Sequence, residues 1–302
     1  METAVVRKTR GLTAYQIKII ALVLMTIDHL GAYGFEIPVF STYNSYLRLI
    51  GRLAMPLFLF ALSESIRYTQ SKPKFLLRLY LAAVGTGLFT SVTNLAFEDT
   101  VGRFSMSNIF YTYFYVALYA VLIENLWSGL KGRDWKKLGS SATGIAATVG
   151  IHFLYVFLMD IDFMGMGLSL EYSMFVKDLI QSVIESPWLV EYTMLFVLMG
   201  VLMYFARSQY AKAAVLLAFS ILCYAGGCVR YGTLVYEFIW YTGPWFTVMG
   251  SPQCFMALAA PIMLLYNGQK GKSCKWFFYW YYPVHRYVIS VVEYLYLVFW
   301  GA

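Results

Sequence analysis

Apolar residues come in long runs along this chain, and short polar clusters separate the runs. A helix needs about 20 mainly apolar residues to cross the hydrocarbon core of a membrane. Nine stretches reach or approach that length: 15–35, 46–66, 75–97, 105–127, 138–159, 188–206, 211–230, 252–267 and 275–299. The sixth and eighth are the shortest. The pattern predicts an all-α, polytopic membrane bundle of nine transmembrane helices, built as a single domain over 1–302. No internal repeat is evident, which weighs against a transporter made of inverted repeats.

One stretch breaks the pattern. Within 159–187, Phe175, Val176, Leu179, Ile180, Val183 and Ile184 recur at helical spacing between polar residues. That spacing predicts an amphipathic helix lying on the membrane. It reads either as a plain surface helix or as a lid over an outward-facing site. A second loop, 240–252, is aromatic and suits the membrane–water interface.

Composition agrees with a membrane protein. Hydrophobic residues make up 60% of the 302 and charged residues 13%, with a mean hydropathy of +0.62. A soluble domain carries roughly twice that share of charge, too much to be met here. Aromatic residues reach 19%, with 26 tyrosines, and many suit the membrane interfaces. The N-terminus has a basic segment and then an apolar run, like a signal peptide. No small-x-small cleavage site closes the run, so it reads as a retained first span.

The net charge of +7 does not point to nucleic acid, because the basic residues form no single patch. Sixteen of the 23 fall in alternate inter-span segments, against Arg103, Lys177 and Arg230 in the others. The positive-inside rule then places the N-terminus in the cytoplasm and the C-terminus outside. Cys223, Cys228, Cys254 and Cys274 show no CxxC spacing. They read as packing residues, with a Cys228–Cys254 disulfide on the outer side as the alternative.

The chemistry sits in the ionisable groups carried into the spans, each of which costs several kcal/mol unless paired or hydrated. Asp28 and His29 interrupt the first span; Arg48, Arg52, His152 and His285 occupy later ones. Arg48 and Arg52 are four apart and share a helix face, so together they call for an anion. Asp28 and Arg52 both lie about six residues, roughly 9 Å, from the outer ends of their spans. Their depths match, so they form an expected ion pair. His29 points about 100° away from Asp28 around the helix. It therefore faces another helix or a cavity, expected here to be shared with His285. Pro283 would kink the last span beside His285, among Tyr279, Tyr281 and Tyr282; the same stretch also suits an aromatic anchor. His152 has no polar company in its helix and reads as structural. Glu64 is a further candidate counter-ion. In "NGQKGKSCK" (267–275), Lys270 and Lys272 would either hold a phosphorylated ligand or form an ordinary positive-inside loop. The spacing is not that of a P-loop.

Three stretches together resemble the TraX family. "LTAYQIKIIALVLMTIDHLGAYGF" carries a Met-x-x-Asp-His motif like that of the family's first helix. Residues 47–83 resemble the following block, with Gly-Arg, Pro-x-Phe, a glutamate and a threonine before a basic loop. Residues 266–285 resemble the C-terminal block, with Tyr-Asn-Gly and Tyr-Pro-x-His. Arg286 stands where the family pattern has leucine. The resemblance implies a transmembrane acyltransferase, such as the acetylase of pilin N-termini in conjugation. It implies acetyl-CoA as donor, no metal, and an acceptor on a protein N-terminus, glycan or cell-envelope component of a bacterial cytoplasmic membrane. Carried over by position, it points to Asp28, His29, Arg48, Arg52, Glu64, Asn267, Tyr282 and His285.

For that chemistry an imidazole takes the acceptor's proton, with His29 as first choice and His285 as second. Arg48 or Arg52 would stabilise the oxyanion. Two other classes also hide Asp, His and Arg inside helices: an ion-coupled carrier and a non-enzymatic assembly protein. Stabilisation by CoA separates the three.

Overall fold

A computed structural model describes residues 10–34, 36–230 and 252–300. The aromatic loop at 240–252 lies almost wholly outside the described residues, as does the Cys228 side chain on which the disulfide depends. Among the described residues the chain is helical, with no strands; one isolated bridge joins Leu12 to Tyr266. Five helical stretches are long and apolar enough to cross a membrane: Ala14–Tyr33, Asn44–Tyr68, Lys72–Phe97, Ile109–Gly132 and Trp135–Asp160. Three further apolar helices are shorter, at Thr193–Phe205, Gln209–Ala225 and Gln253–Leu264. Large apolar side chains such as Phe89, Phe157, Ile221 and Val288 are exposed, while Ser63, Ser91, Thr112 and Asn94 are buried. Polar inside and apolar outside is the arrangement that lipid, not water, selects.

The chain divides into two compact units. The first comprises residues up to Ala61 together with Ala206–Ala302. Its α1 (Ala14–Tyr33) begins at a capping box, with the Gln16 amide donating to Thr13 Oγ1 and the Thr13 amide to Gln16 Oε1. A short α2 (Pro38–Thr42) leads to α3 (Asn44–Gly51) and then α4 (Ala54–Tyr68), which runs on into the second unit. The expected span at 46–66 falls within the apolar stretch Asn44–Tyr68, which a turn at Arg52 and Leu53 interrupts. Pro56 has no amide to give the Arg52 carbonyl, so the regular ladder cannot pass through Arg52 and Leu53. Those two amides instead donate to Leu49 and Ile50 three residues back. Next come α10 (Gln209–Arg230), a 3₁₀ helix (Pro252–Ala259), α11 (Ala260–Leu264) and α12 (Lys275–Trp300), with Pro283 inside α12. Helices α1 and α12 are parallel, since Tyr15–Phe278, Thr26–Tyr281, His29–His285 and Glu36–Glu293 meet in that order.

The loop between α11 and α12 closes one end of this unit. The carbonyls of Gln269 and Lys270 accept from the Ala14 and Tyr15 amides at 2.8 and 3.1 Å, which have no partner inside α1. Gly271 has φ +72° and lies against Thr13, where a side chain would collide. The lysine–glycine segment is therefore an N-terminal cap for α1.

The second unit, Leu62–Phe205, holds α5 (Lys72–Val101), α6 (Ile109–Gly132), α7 (Trp135–Asp160), α8 (Leu170–Val183) and α9 (Thr193–Phe205). The expected span at 105–127 begins later, because 102–108 is not helical. There Phe104, Met106 and Asn108 are buried in alternation, and Asn94 clamps both the amide and the carbonyl of Phe104. The expected span at 188–206 is also shorter and starts at Thr193. The 170–183 helix forms as expected: Ser173, Asp178 and Ser182 are buried, Phe175, Val176, Leu179 and Ile180 are half-buried, and Val183 is exposed.

Candidate functional site

Asp28 and His29 project from neighbouring positions on α1 and meet different partners. Asp28 Oδ2 accepts from Arg48 Nη1 at 2.6 Å, and Arg52 Nη2 stands 3.3 Å from Oδ1. One carboxylate, 5% exposed, thus bridges both arginines. The break after α3 matters here. It sets Arg52 where its Nε donates to the Arg48 carbonyl at 3.0 Å while Nη1 donates to Gln253 Oε1 at 3.3 Å. Gly51 makes the approach of α1 to α3 feasible, since a Cβ there would overlap the Asp28 side chain. Asn44 adds a further tie by donating to the Gly31 carbonyl.

His29 turns to α12. Its Nδ1 lies 2.5 Å from Nε2 of His285, and the two rings are within 7° of parallel. His285 Nδ1 is 2.9 Å from the Tyr281 carbonyl oxygen. A carbonyl only accepts, so Nδ1 of His285 carries a hydrogen. In the neutral state its Nε2 then accepts, and His29 Nδ1 donates to it. The basic lone pair of the linked rings falls on His29 Nε2. Two protonated imidazoles cannot share that contact, so the pair holds one bridging proton.

The surroundings are aromatic. The Tyr281 ring stacks on His285, its hydroxyl lies 2.8 Å from Thr26 Oγ1, and Tyr33 meets His29 edge-on. Arg286, 4% exposed, places its guanidinium 5.2 Å from the Tyr33 ring centre. Tyr282 is buried with its ring 6.0 Å from His285. Thr26, Tyr33 and Gln253 join this site without having stood out in the sequence. Thr26 and Tyr33 are three before and four after His29, on its own helix face, so helical spacing could have found them.

The remaining candidates lie elsewhere. Asn267 donates to the Gly11 carbonyl and accepts from the Gln269 amide, so it shapes the loop that caps α1. Lys270 and Lys272 are exposed in that loop. Tyr279 is half-buried beside Trp276. Glu64 is buried on α4 and belongs to the second unit. His152, also in that unit, bonds Ser186 Oγ at 2.8 Å and rests on Trp188. Among the described residues no three of His, Cys, Asp and Glu gather as a metal-binding group.

Compared with known proteins, the chain matches the model of the family described as TraX protein over residues 13–182. The match takes in Asp28, His29, Arg48, Arg52 and Glu64 and ends before the 266–285 block. No curated protein and no solved structure matches the chain. With more than half of its length matched, the chain belongs to the TraX family.

Proposed function

We propose that this protein is a membrane-embedded acyltransferase of a bacterial cytoplasmic membrane. It moves an acetyl group from cytoplasmic acetyl-CoA to an amine or hydroxyl on a protein N-terminus, glycan or other envelope component. In this reading the chain crosses the bilayer nine times, with its N-terminus inside. The observation that carries the proposal is the relay from the Tyr281 carbonyl through His285 to His29, with the basic lone pair at His29 Nε2.

The step balances as follows. The acceptor nitrogen or oxygen attacks the thioester carbon and a bond forms there. Its proton passes to His29 Nε2, and the bridging proton shifts towards His285 Nε2, so the second ring shares the charge. As the C–S bond breaks, the CoA thiolate takes the proton back. In this reading Arg48, the more open of the two arginines, donates to the oxyanion. Asp28 holds both guanidinium groups in position. Lys270 and Lys272 suit the anionic part of the donor, and Tyr279 and Tyr282 line its approach.

Proteoliposomes supplied with radiolabelled acetyl-CoA and a cell-envelope extract test this. Label is expected to enter envelope material with the wild-type chain and not with His29→Ala. CoA should raise the melting temperature of both forms. Equal labelling by His29→Ala and His285→Ala removes the catalytic reading. Absence of CoA stabilisation together with absence of labelling favours a carrier or an assembly protein.

A further inference from the structure

Helix α8 buries Asp178 and Ser182 and leaves Val183 exposed. Asp178, Ser182 and, just beyond the helix, Glu185 fall on one side and are buried at 5%, 1% and 1% exposure. Val176, Ile180 and Val183 fall on the opposite side and stay partly open or exposed. A helix lying on a membrane would turn its charged face to water. This one gives that face to the protein: Asp178 to Arg103 and Asn94, and Ser182 to Ser91.

The contacts also fix its direction. Asp178 meets Asn94, while Ser182 meets Ser91 and packs against Gly87, so α8 runs antiparallel to α5. Lys72, Glu124 and Tyr204 join α5, α6 and α9 at one charged end. Tyr115, which donates to the Glu185 carbonyl at 2.6 Å, is nine residues above Glu124 on α6. That is about 14 Å. Helix α7 gives an independent measure. Thr148 is level with Tyr119, and His152, bonded to Ser186, is one turn higher, again about 14 Å above Glu124. Half of a hydrocarbon core is about 15 Å. From that level α9 descends to Tyr204, and α8 rises about 20 Å the other way.

Between them, Ile184–Tyr192 is irregular, with Tyr192 and Thr193 at φ +68° and +63°. Non-helical backbone survives at such depth only when its polar groups are satisfied inside the protein. Here they are. The carbonyls of Ser182, Val183, Glu185 and Glu191 each accept from a hydroxyl, of Tyr111, Tyr80, Tyr115 and Thr112 respectively.

We infer that α8 and α9 are the two halves of one discontinuous membrane span, broken at mid-depth, and that the apolar face of α8 lies against lipid acyl chains. The second unit thus extends a lipid-facing surface along the deeper turns of α8, next to Val183. The inference is independent of the histidine chemistry.

The test is nitroxide labelling of the full chain in lipid nanodiscs, in a background with the native cysteines replaced. Val183→Cys should give a label reached by oxygen, shielded from a water-soluble nickel chelate, and deeper than one at Leu170→Cys. Leu179→Cys, labelled in parallel, should lie between them and carries the test if Val183→Cys does not fold. Nickel accessibility at 179 and 183 equal to that of an exposed loop residue, or equal depth at 170, 179 and 183, overturns the inference.

Discussion

His29 and His152 each sit within a long apolar helix, one in each unit, and they are used differently. His152 reaches a serine hydroxyl and the face of a tryptophan. Its neighbours do the same kind of work: the hydroxyls of Tyr80, Tyr111, Thr112 and Tyr115 each close a main-chain carbonyl that the broken α8–α9 segment leaves open. The polar groups there answer to backbone need. His29 reaches another imidazole 256 positions away, a contact that relieves no backbone group at its own end. Beside it a single carboxylate holds two arginines. Buried polarity that completes the backbone maintains a fold. A side chain that bonds another imidazole answers to no such backbone need at that contact, and the proposed acyl transfer gives it a role.

The largest expected difference tests that contrast directly. His29→Ala is expected to lower acyl transfer by about 10²–10⁴-fold, the usual worth of a positioned acid–base group. His152→Ala should leave transfer per folded molecule unchanged and lower only the melting temperature. Equal losses of transfer from both substitutions would erase the distinction between the units.

The ion triplet comes next. Asp28→Asn leaves two guanidinium groups facing a site without its carboxylate, at a cost of about 3 kcal/mol. That is the lower end for a broken buried pair, because Arg48 is partly solvated. Adding Arg48→Gln should recover part of the loss, giving a coupling of about 0.5–3 kcal/mol in unfolding from detergent micelles. Strictly additive losses would show that the contact is not energetic. Gly51→Ala should be at least as damaging as Asp28→Asn, because the added methyl takes the space of the Asp28 side chain.

Much of this site could be read from the chain. Matching depths brought Asp28 to Arg52, and the angle between positions 28 and 29 turned His29 towards another helix, where His285 waits. The sequence did not reveal why glycine precedes Arg52, because the overlap with Asp28 exists only once α3 lies against α1. Nor could it reveal the sense of α8. An amphipathic pattern gives two faces but not which of them meets solvent, and lipid reverses the answer that water would give. The non-helical 102–108 segment was hidden for a related reason. Its alternation of Phe104, Met106 and Asn108 merges with the apolar run that follows. In the 267–275 loop the lysines suggested a ligand, but no side-chain motif could report that the Gln269 and Lys270 carbonyls also cap α1.

A smaller effect separates fold from chemistry on the other side of the comparison. Asp178→Asn keeps a polar atom near Asn94 but gives up the charged bond to Arg103, 2.6 Å long. A loss of about 2 kcal/mol is expected for a hydrogen bond to a charged partner. Acyl transfer per folded molecule should not change. A fall in transfer larger than the fall in folded protein would mean that the second unit takes part in the reaction.

The smallest effect lies between two tyrosines four residues apart on α6. Tyr115 donates to the Glu185 carbonyl, in the irregular segment where no helical amide can replace it. Tyr119 donates to Thr148 Oγ1, a hydroxyl that already donates to the Ile145 carbonyl. Removing the first hydroxyl strands a buried acceptor, which costs about 1–3 kcal/mol. Removing the second leaves Thr148 with its own bond intact, and about 0.5 kcal/mol is expected, the low end for one net hydrogen bond. Tyr115→Phe and Tyr119→Phe delete the same atom from the same helix, so differences in burial and helix propensity largely cancel. Melting temperatures in one detergent should therefore fall further for Tyr115→Phe. If the two variants melt together, hydroxyl closure of the broken segment contributes nothing special, and the backbone-serving account of the second unit fails.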